Sequence, residues 1–309
     1  MIFHQPVLLK EVVEFLKIKP GQIFIDATLG GGGHSRKIIK SGGLVIGIDQ
    51  DPEALAWAQK KLRSACPVSV WLEQREAKSR ALGFIKQPFI LIEDNFSNLE
   101  KIINQLKLKT VDGILFDLGT SYHQLTSKNR GFSFDSDQLD MRMSPEAQVT
   151  AADLLAALSE NELYQIFKKF SQEKHARPFA KAIVRARRIA PITNGKRLAE
   201  IIEKASGPRR SRIHPATRVF QALRITINDE LNNLFKALPQ AEKLLAAGGR
   251  LVVISFHEGE DRIVKKFFQE ENYQKRLTII TKKPIVPTQE EINNNPSARS
   301  AKLRVAEKR

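Results

Sequence analysis

Short apolar runs closed by an acidic residue alternate with amphipathic stretches through the first third of the chain, up to about Tyr122. Ile23-Phe24-Ile25 reads as a buried strand ending at Asp26, and Leu44 to Ile48 as a second ending at Asp49. Phe89 to Ile92 and Val111 to Asp117 read as two more. Between them the spacing predicts a helix from about Ser35 to Lys40, stopped by Gly42-Gly43. Another is predicted from Glu53 to about Arg63, where Asp51 suits the N-cap and Pro52 the first turn. The strands are apolar on both faces, as in a parallel sheet covered by helices on both sides.

After Tyr122 the pattern changes. A polar stretch from Ser127 to Pro145 leads into a purely helical region. Ser159 with Glu162 makes a capping box for a helix reaching about Phe170. Pro178 suits another helix start, Thr193 can cap the next, and Gly207-Pro208 ends it. Phe220, Leu223, Ile227, Leu231, Leu234 and Leu238 predict one long amphipathic helix. Strand character then returns at Arg250 to Ser255, with a late strand expected near Lys302 to Val305. The expected organisation is a discontinuous α/β domain, 1–124 and 216–309, interrupted by a helical insert, 125–215.

Charge sharpens this picture. The 309 residues carry a net +16, and the segment from Lys168 to Arg224 alone holds 16 Lys/Arg against Glu173, Glu200 and Glu203. A field so concentrated suits a polyanion, because phosphates are held mainly by Lys and Arg. Lys181, Arg185 and Arg188 share one helical face; with Arg209, Arg210 and Arg212 they are the candidate phosphate contacts. The alternative is a merely solvated basic face. No apolar run is long enough to span a bilayer, the first residues lack a secretory-signal layout, and Cys66 is the single cysteine. A cytoplasmic protein without disulfides is expected. The six histidines show no metal spacing, so no metal is expected.

The candidate chemistry lies at the strand ends. Gly30 to Gly33 forms a glycine turn between a strand and a helix, where backbone can approach a ligand closely. Asp49 is placed to accept from ribose hydroxyls, or alternatively to cap its own strand end. The turn does not read as G-x-G-x-x-G, and Asp26 would repel a pyrophosphate while welcoming an ammonium. Both details favour a methyl donor over a dinucleotide. The loop Asp117 to Gln124 follows the fourth strand, at the sheet end where chemistry collects.

At these residues the sequence resembles the bacterial 16S rRNA (cytosine-N4)-methyltransferase family, of RsmH or MraW type. The matching segments include His4-x-Pro6-Val7-Leu8-Leu9, Asp26-x-Thr28-x-Gly30-x-Gly32-Gly33-His34-Ser35 and Asp117-Leu118-Gly119. They continue with Gly131-Phe132-Ser133-Phe134, Leu139 to Met143, His214 to Arg218, Gly248 to Leu251, Ser255-Phe256-His257 and Asn295 to Ser300. The resemblance implies a class I methyltransferase fold, Rossmann-like and α/β with a mostly parallel doubly wound sheet, carrying an inserted all-helical domain. It implies S-adenosyl-L-methionine contacts at Gly32, Gly33, His34, Asp49, Phe96, Asp117 and Gln124. It also implies a target cytosine in the decoding region of 16S rRNA, within the small ribosomal subunit, with neither DNA nor membrane as partner. The chain departs from the family at a longer connection near 61–87, at Glu258-Gly259 where Ser-Leu is usual, and at Tyr122-His123.

Methyl transfer to a cytosine amino group needs in-line placement and acceptors for the amino hydrogens. Asp117 is the first candidate acceptor, with Ser121 and His123 as base-positioning candidates. Asp117 could equally only orient the cofactor. Transfer to cytosine C5 would need a cysteine nucleophile, and Cys66 lies away from the strand ends. Rival readings are an N4-cytosine DNA methyltransferase, a nicotinamide-dependent oxidoreductase, and an RNA-binding protein that has lost catalysis. A DNA enzyme would usually carry Pro-Pro-aromatic where this chain has Asp-Leu-Gly-Thr-Ser.

Overall fold

A computed structural model describes residues 5–65, 87–207 and 213–309. It divides into two compact units, 1–121 with 231–309, and 122–230. The first unit is built on one seven-stranded sheet of the described residues. Its strands are β1 (Ile23–Asp26), β2 (Leu44–Asp49), β3 (Phe89–Glu93), β4 (Val111–Asp117), β5 (Leu245–Ser255), β6 (Leu277–Ile279) and β7 (Lys302–Lys308).

Their order is β3-β2-β1-β4-β5-β7-β6. The pairs among β1 to β5 are parallel, and β7 is antiparallel to both β5 and β6. The chain runs outward from β1 to β3, then returns across β1 to β4. That reversal opens a crevice at the carboxyl ends of β1 and β4, the place where doubly wound sheets bind ligands. This is the α/β, mostly parallel doubly wound sheet expected from the sequence.

Alternation along each strand produces two cores. Ile25, Ile46, Ile114, Phe116 and Val253 face one way, against Leu99 and Ile102 of the helix Leu99–Gln105 and Leu234 and Leu238 of the helix Glu230–Leu244. Phe24, Val45, Leu115 and Val252 face the other, against Val12, Leu16, Ile38 and Leu62. Each such side chain contributes roughly 1.5–3 kcal/mol by leaving water. A glycine on β4 leaves room for the ring beside it on β1: a Cβ on Gly113 would lie 2.8 Å from the Phe24 ring.

The second unit is helical, with a core that includes Phe132, Leu155, Leu163, Phe167, Phe179, Ile183, Leu198 and Phe220. The segment Gly131 to Met143 is part of its framework. Gly131 has φ +82°, and a Cβ there would meet the Asp140 backbone nitrogen at 2.3 Å. Asp140 pairs bidentately with Arg142, at 2.8 Å to both Nε and Nη2. The Arg142 guanidinium holds the Asp140 carboxyl below its ordinary range, outweighing burial, which pushes it up.

Several boundaries differ from the sequence expectation. The helix predicted to run unbroken through Leu238 is two helices, Thr217–Ile227 and Glu230–Leu244. Asn228 breaks it: its amide donates to Met141 O and Arg224 O, and its Oδ1 accepts from Met143 N. Asp229 follows at φ +48°, a conformation that ends a helix. The apolar face of Thr217–Ile227 belongs to the core of the second unit. The return to the first unit therefore falls at Leu231, later than the expected 216, and the departure falls at Tyr122, slightly before the expected 125. Asn194, rather than Thr193, caps the helix Gly195–Ser206, its Oδ1 accepting from Arg197 N at 2.8 Å. The helix expected to start at Pro178 starts at Ala176, leaving the proline in the first turn. The Ser159 capping box is present, and its helix is Glu160–Ser171. No helix among the described residues is long and apolar enough to cross a membrane.

Candidate active site

Three aspartates close neighbouring strands at one edge of the sheet: Asp26 on β1, Asp49 on β2 and Asp117 on β4. The register places Asp26 beside Gly47 and Leu115, so Asp49 and Asp117 each extend two residues beyond it. At about 3.3 Å per residue this sets Asp26 one pleat deeper, on the floor between two carboxylate walls.

The glycine turn lies over that floor. Gly30 and Gly32 have φ +48° and +67°, values costly for other residues. A Cβ on Gly33 would come within 3.0 Å of the Pro6 ring, and one on Gly32 within 3.2 Å of Ala58 Cβ. The turn opens the helix Gly33–Lys40, whose first intrahelical bond here is Arg36 N to Gly32 O. The N–H groups of its first turn point out of the helix end, where they can meet a ligand.

Asp49 holds this turn in place. Its Oδ2 accepts from Gly30 N at 2.7 Å and its Oδ1 from Asp51 N at 2.9 Å. Strand-end capping, one of the two roles expected for it, is thus realised, and each oxygen keeps a second lone pair for a hydroxyl. Burial pushes its carboxyl up to about 6, against the opposing pull of the two N–H groups.

Asp26 is fully enclosed. Its Oδ2 takes the Ser35 hydroxyl at 2.6 Å, and its Oδ1 is buried without a hydrogen-bond partner among the described residues. Burial pushes the carboxyl above its ordinary range; His34 and the Ser35 hydroxyl pull it down, while the Asp117 charge adds to the rise.

His34 is buried as well, and both of its ring nitrogens face protein groups. One ring nitrogen, Nε2, is 3.0 Å from Val7 O and the other, Nδ1, is 3.5 Å from Asp117 Oδ2. The Asp117 N–H donates to Thr28 Oγ1 at 2.6 Å. Phe96 starts a short 3-10 turn after β3, half-buried, its ring edge-on to Phe116 at 5.6 Å. Asp94 and Asn95 fix that turn, Asp94 accepting from Asn98 and Asn95 donating to Gln50.

S-adenosylmethionine carries an ammonium, a ribose and an adenine, and these residues fit it. The orphaned Asp26 oxygen on the floor suits a positive charge, the glycine turn with its positive φ values lets backbone come close to a ligand, and Asp49 offers acceptors at the rim. Gly32, Gly33, His34, Asp49, Phe96 and Asp117 are thus all drawn to this edge. Ser121 lies four residues beyond Asp117. His123 and Gln124 fall on the short helix Tyr122–Thr126 of the second unit, where Gln124 is buried and His123 Nε2 is 3.4 Å from Ser127 Oγ.

In the second unit, Lys181, Arg185 and Arg188 are exposed and continue a row that begins at Arg177. None of the four has a carboxylate within ion-pair distance among the described residues. Arg187, between them, turns inward to the carbonyls of Leu155 and Leu158. Sequence reasoning missed Arg177, although its spacing four residues before Lys181 marks it as a member of the row. Arg209, Arg210, Arg212 and Cys66 lie outside the described residues, as does most of the long connection near 61–87.

The pattern of the MraW methylase family matches residues 1–309. The chain is similar to "Ribosomal RNA small subunit methyltransferase H" of Carboxydothermus hydrogenoformans, 44% identical over 99% of this chain and 97% of the relative. Proteins of the same name from Sulfurihydrogenibium sp. (43% identical, 99% of each chain) and Halothermothrix orenii (42% identical, 100% and 99%) are also similar.

Proposed function

The chain belongs to the MraW methylase family, and on that premise we propose that it methylates the N4 amino group of a cytosine in the decoding region of 16S rRNA. The donor in this reading is S-adenosyl-L-methionine, and the substrate is presented in the small ribosomal subunit in the cytoplasm. The observation that carries it is the carboxylate-framed glycine turn at the reversal of the sheet, with Asp26 Oδ1 buried and unanswered beneath it.

When bound, the donor supplies a methyl carbon activated by its sulfonium. Asp26 on the floor answers the donor's ammonium, Asp49 accepts from the ribose, the backbone N–H groups of Gly33 and His34 face its polar end, and Gly32, whose own N–H donates to Leu29 O, lets the backbone approach closely. Phe96 supplies an aromatic surface for the adenine, and Gln124 a further polar contact. A cytosine amino nitrogen is a poor nucleophile because its lone pair is conjugated with the ring. Asp117 accepts an amino hydrogen, which localises that lone pair and gives the departing proton a destination as the new N–C bond forms. Ser121 and His123 position the base.

The insert holds the RNA. Lys181, Arg185 and Arg188, with Arg209, Arg210 and Arg212, contact phosphates and so contribute affinity without reading sequence. The target nucleotide leaves its stack to reach the strand ends, as in other enzymes that act on a base. The test is incubation of undermodified small subunits with enzyme and isotopically labelled donor, followed by nucleoside mass analysis. The reading requires label in N4-methylated cytidine; label in 5-methylcytidine, or none, contradicts it.

A further inference from the structure

The helices Glu160–Ser171 and Ala176–Arg187 are joined by residues 172–175; Tyr164 lies in the first half of the former and Arg177 in the first turn of the latter. The Arg177 guanidinium carbon lies 4.5 Å from the Tyr164 ring centroid, and Lys168 Nζ lies 5.5 Å from it. Lys168 also donates to the Tyr164 hydroxyl at 3.1 Å. Tyr164 is half-buried, its inner side packed on the core of the unit, while Lys168 and Arg177 are exposed.

A solvated helix face intersperses acids with bases at a spacing of three or four residues. Here the residue four before Lys168 is Tyr164, and the residue four after Arg177 is Lys181. Neither Lys168 nor Arg177 has a carboxylate partner among the described residues; the nearby Glu173 faces His175 at 3.6 Å. Unopposed like charges side by side are unfavourable until a polyanion answers them. Arg177 is also the first member of the exposed row ending at Arg188, which spans roughly 16 Å at 1.5 Å per residue. The ring therefore sits at the terminus of a basic track, beside the two cations that face it.

An aromatic ring flanked by Lys and Arg at the end of a basic track suits an unpaired nucleotide, because every base has a stacking face and every linkage a phosphate. We infer that Tyr164, Lys168 and Arg177 form a nucleotide-binding site for single-stranded RNA, with the phosphate between the two cations and the base stacked on the outer face of the Arg177 guanidinium, which lies over the ring. The site rests on the proposed RNA substrate and adds where an unpaired nucleotide outside the target is held. Duplex RNA cannot use the stacking face, since its bases stack on each other, although its phosphates can still meet Arg177.

The test uses the full-length protein and a short fluorescein-labelled single-stranded RNA, with the corresponding duplex as comparison, over a range of salt. Tyr164→Ala is expected to weaken single-strand binding about tenfold without changing its salt slope, whereas Tyr164→Phe stays within about twofold of the parent. Arg177→Ala is expected to weaken binding and reduce the salt slope by about 0.7, the contribution of one phosphate contact. Duplex binding should respond to Arg177→Ala but not to Tyr164→Ala. The inference is overturned if Tyr164→Ala binds the single strand like the parent, if Tyr164→Phe is as damaging as Tyr164→Ala, or if Tyr164→Ala weakens single strand and duplex alike. A parent protein that binds neither RNA overturns the substrate reading itself, a separate result from loss of this site alone.

Discussion

His34 Nδ1 lies 3.5 Å from Asp117 Oδ2, with both side chains almost wholly buried at 5% and 6% exposure. Its other nitrogen, Nε2, faces the Val7 carbonyl at 3.0 Å. A carbonyl only accepts, so Nε2 carries the hydrogen in that bond. The ring thus stands between the N-terminal segment and the carboxylate proposed to take the amino hydrogen. His34→Ala leaves the Val7 carbonyl buried and unanswered, a loss of about 1–3 kcal/mol. Turnover should fall at least about tenfold through Asp117 misplacement, while S-adenosylhomocysteine affinity changes less, because the contact assigned to His34 is through its backbone. Thermal unfolding, calorimetric titration and turnover separate these effects; a loss of cofactor affinity as large as the loss of turnover contradicts the assignment.

Asp117→Asn removes the proposed acceptor and keeps the side chain's size. Turnover is expected to drop by about 10²–10⁴, the usual weight of a positioned acid–base group. Cofactor affinity should stay within a few-fold. Full-rate methylation by this variant would assign the proton elsewhere.

Asp49 gives a pH signature. Its carboxyl is pushed up to about 6 from the ordinary 3.8. The folded state therefore keeps a proton that the unfolded chain releases, so this group makes stability fall as pH rises from about 4 to 6, and its cost is fully present above 6. The ribose contact needs the ionised form, and S-adenosylhomocysteine affinity should fall as pH drops below about 6, by at most tenfold per unit. Asp49→Asn should bind more weakly above that value and lose this component of the profile. Titration between pH 5 and 8 checks it, and parallel profiles for the two proteins would contradict it.

Reversing Lys181, Arg185 and Arg188 to Glu should weaken RNA binding and flatten its salt dependence, by roughly 0.7–0.9 in slope for each phosphate no longer neutralised. Cofactor affinity should be unchanged. Equal RNA affinity in parent and variant would make this a solvated face.

Gly131→Ala tests the framework of the helical unit. The new Cβ would meet the Asp140 nitrogen at 2.3 Å in a backbone with φ +82°. Destabilisation of more than about 2 kcal/mol is expected from strain and the loss of the Asp140–Arg142 arrangement. Denaturant unfolding followed by far-ultraviolet circular dichroism reads it, and an unchanged midpoint would contradict it.

Much of this architecture could be read along the chain because each strand of the site announces its own end. Ile23 to Asp26, Leu44 to Asp49 and Val111 to Asp117 are apolar runs stopped by a carboxylate, so the strands and three of the site's groups appear together. What stayed hidden depends on tertiary contacts. The apolar stripe from Phe220 to Leu238 continues through Asn228, and only the bonds from Asn228 to Met141 and Met143 reveal the break. The depth of Asp26 depends on register, which periodicity within one strand does not carry. The bracing of His34 needs Val7, 27 residues earlier. The approach of Arg177 to Tyr164 needs two helices to pack.

The central claim is that the edge formed by Asp26, Asp49, Asp117 and the Gly30-to-Gly33 turn holds a methyl sulfonium donor. Calorimetric titration of the purified protein with S-adenosylmethionine, S-adenosylhomocysteine and a nicotinamide dinucleotide tests it most directly. Saturable one-to-one binding of the first two, without binding of the dinucleotide, is the predicted result. No heat or saturation with either sulfur ligand would contradict the account, whatever the affinity of the basic surface for RNA.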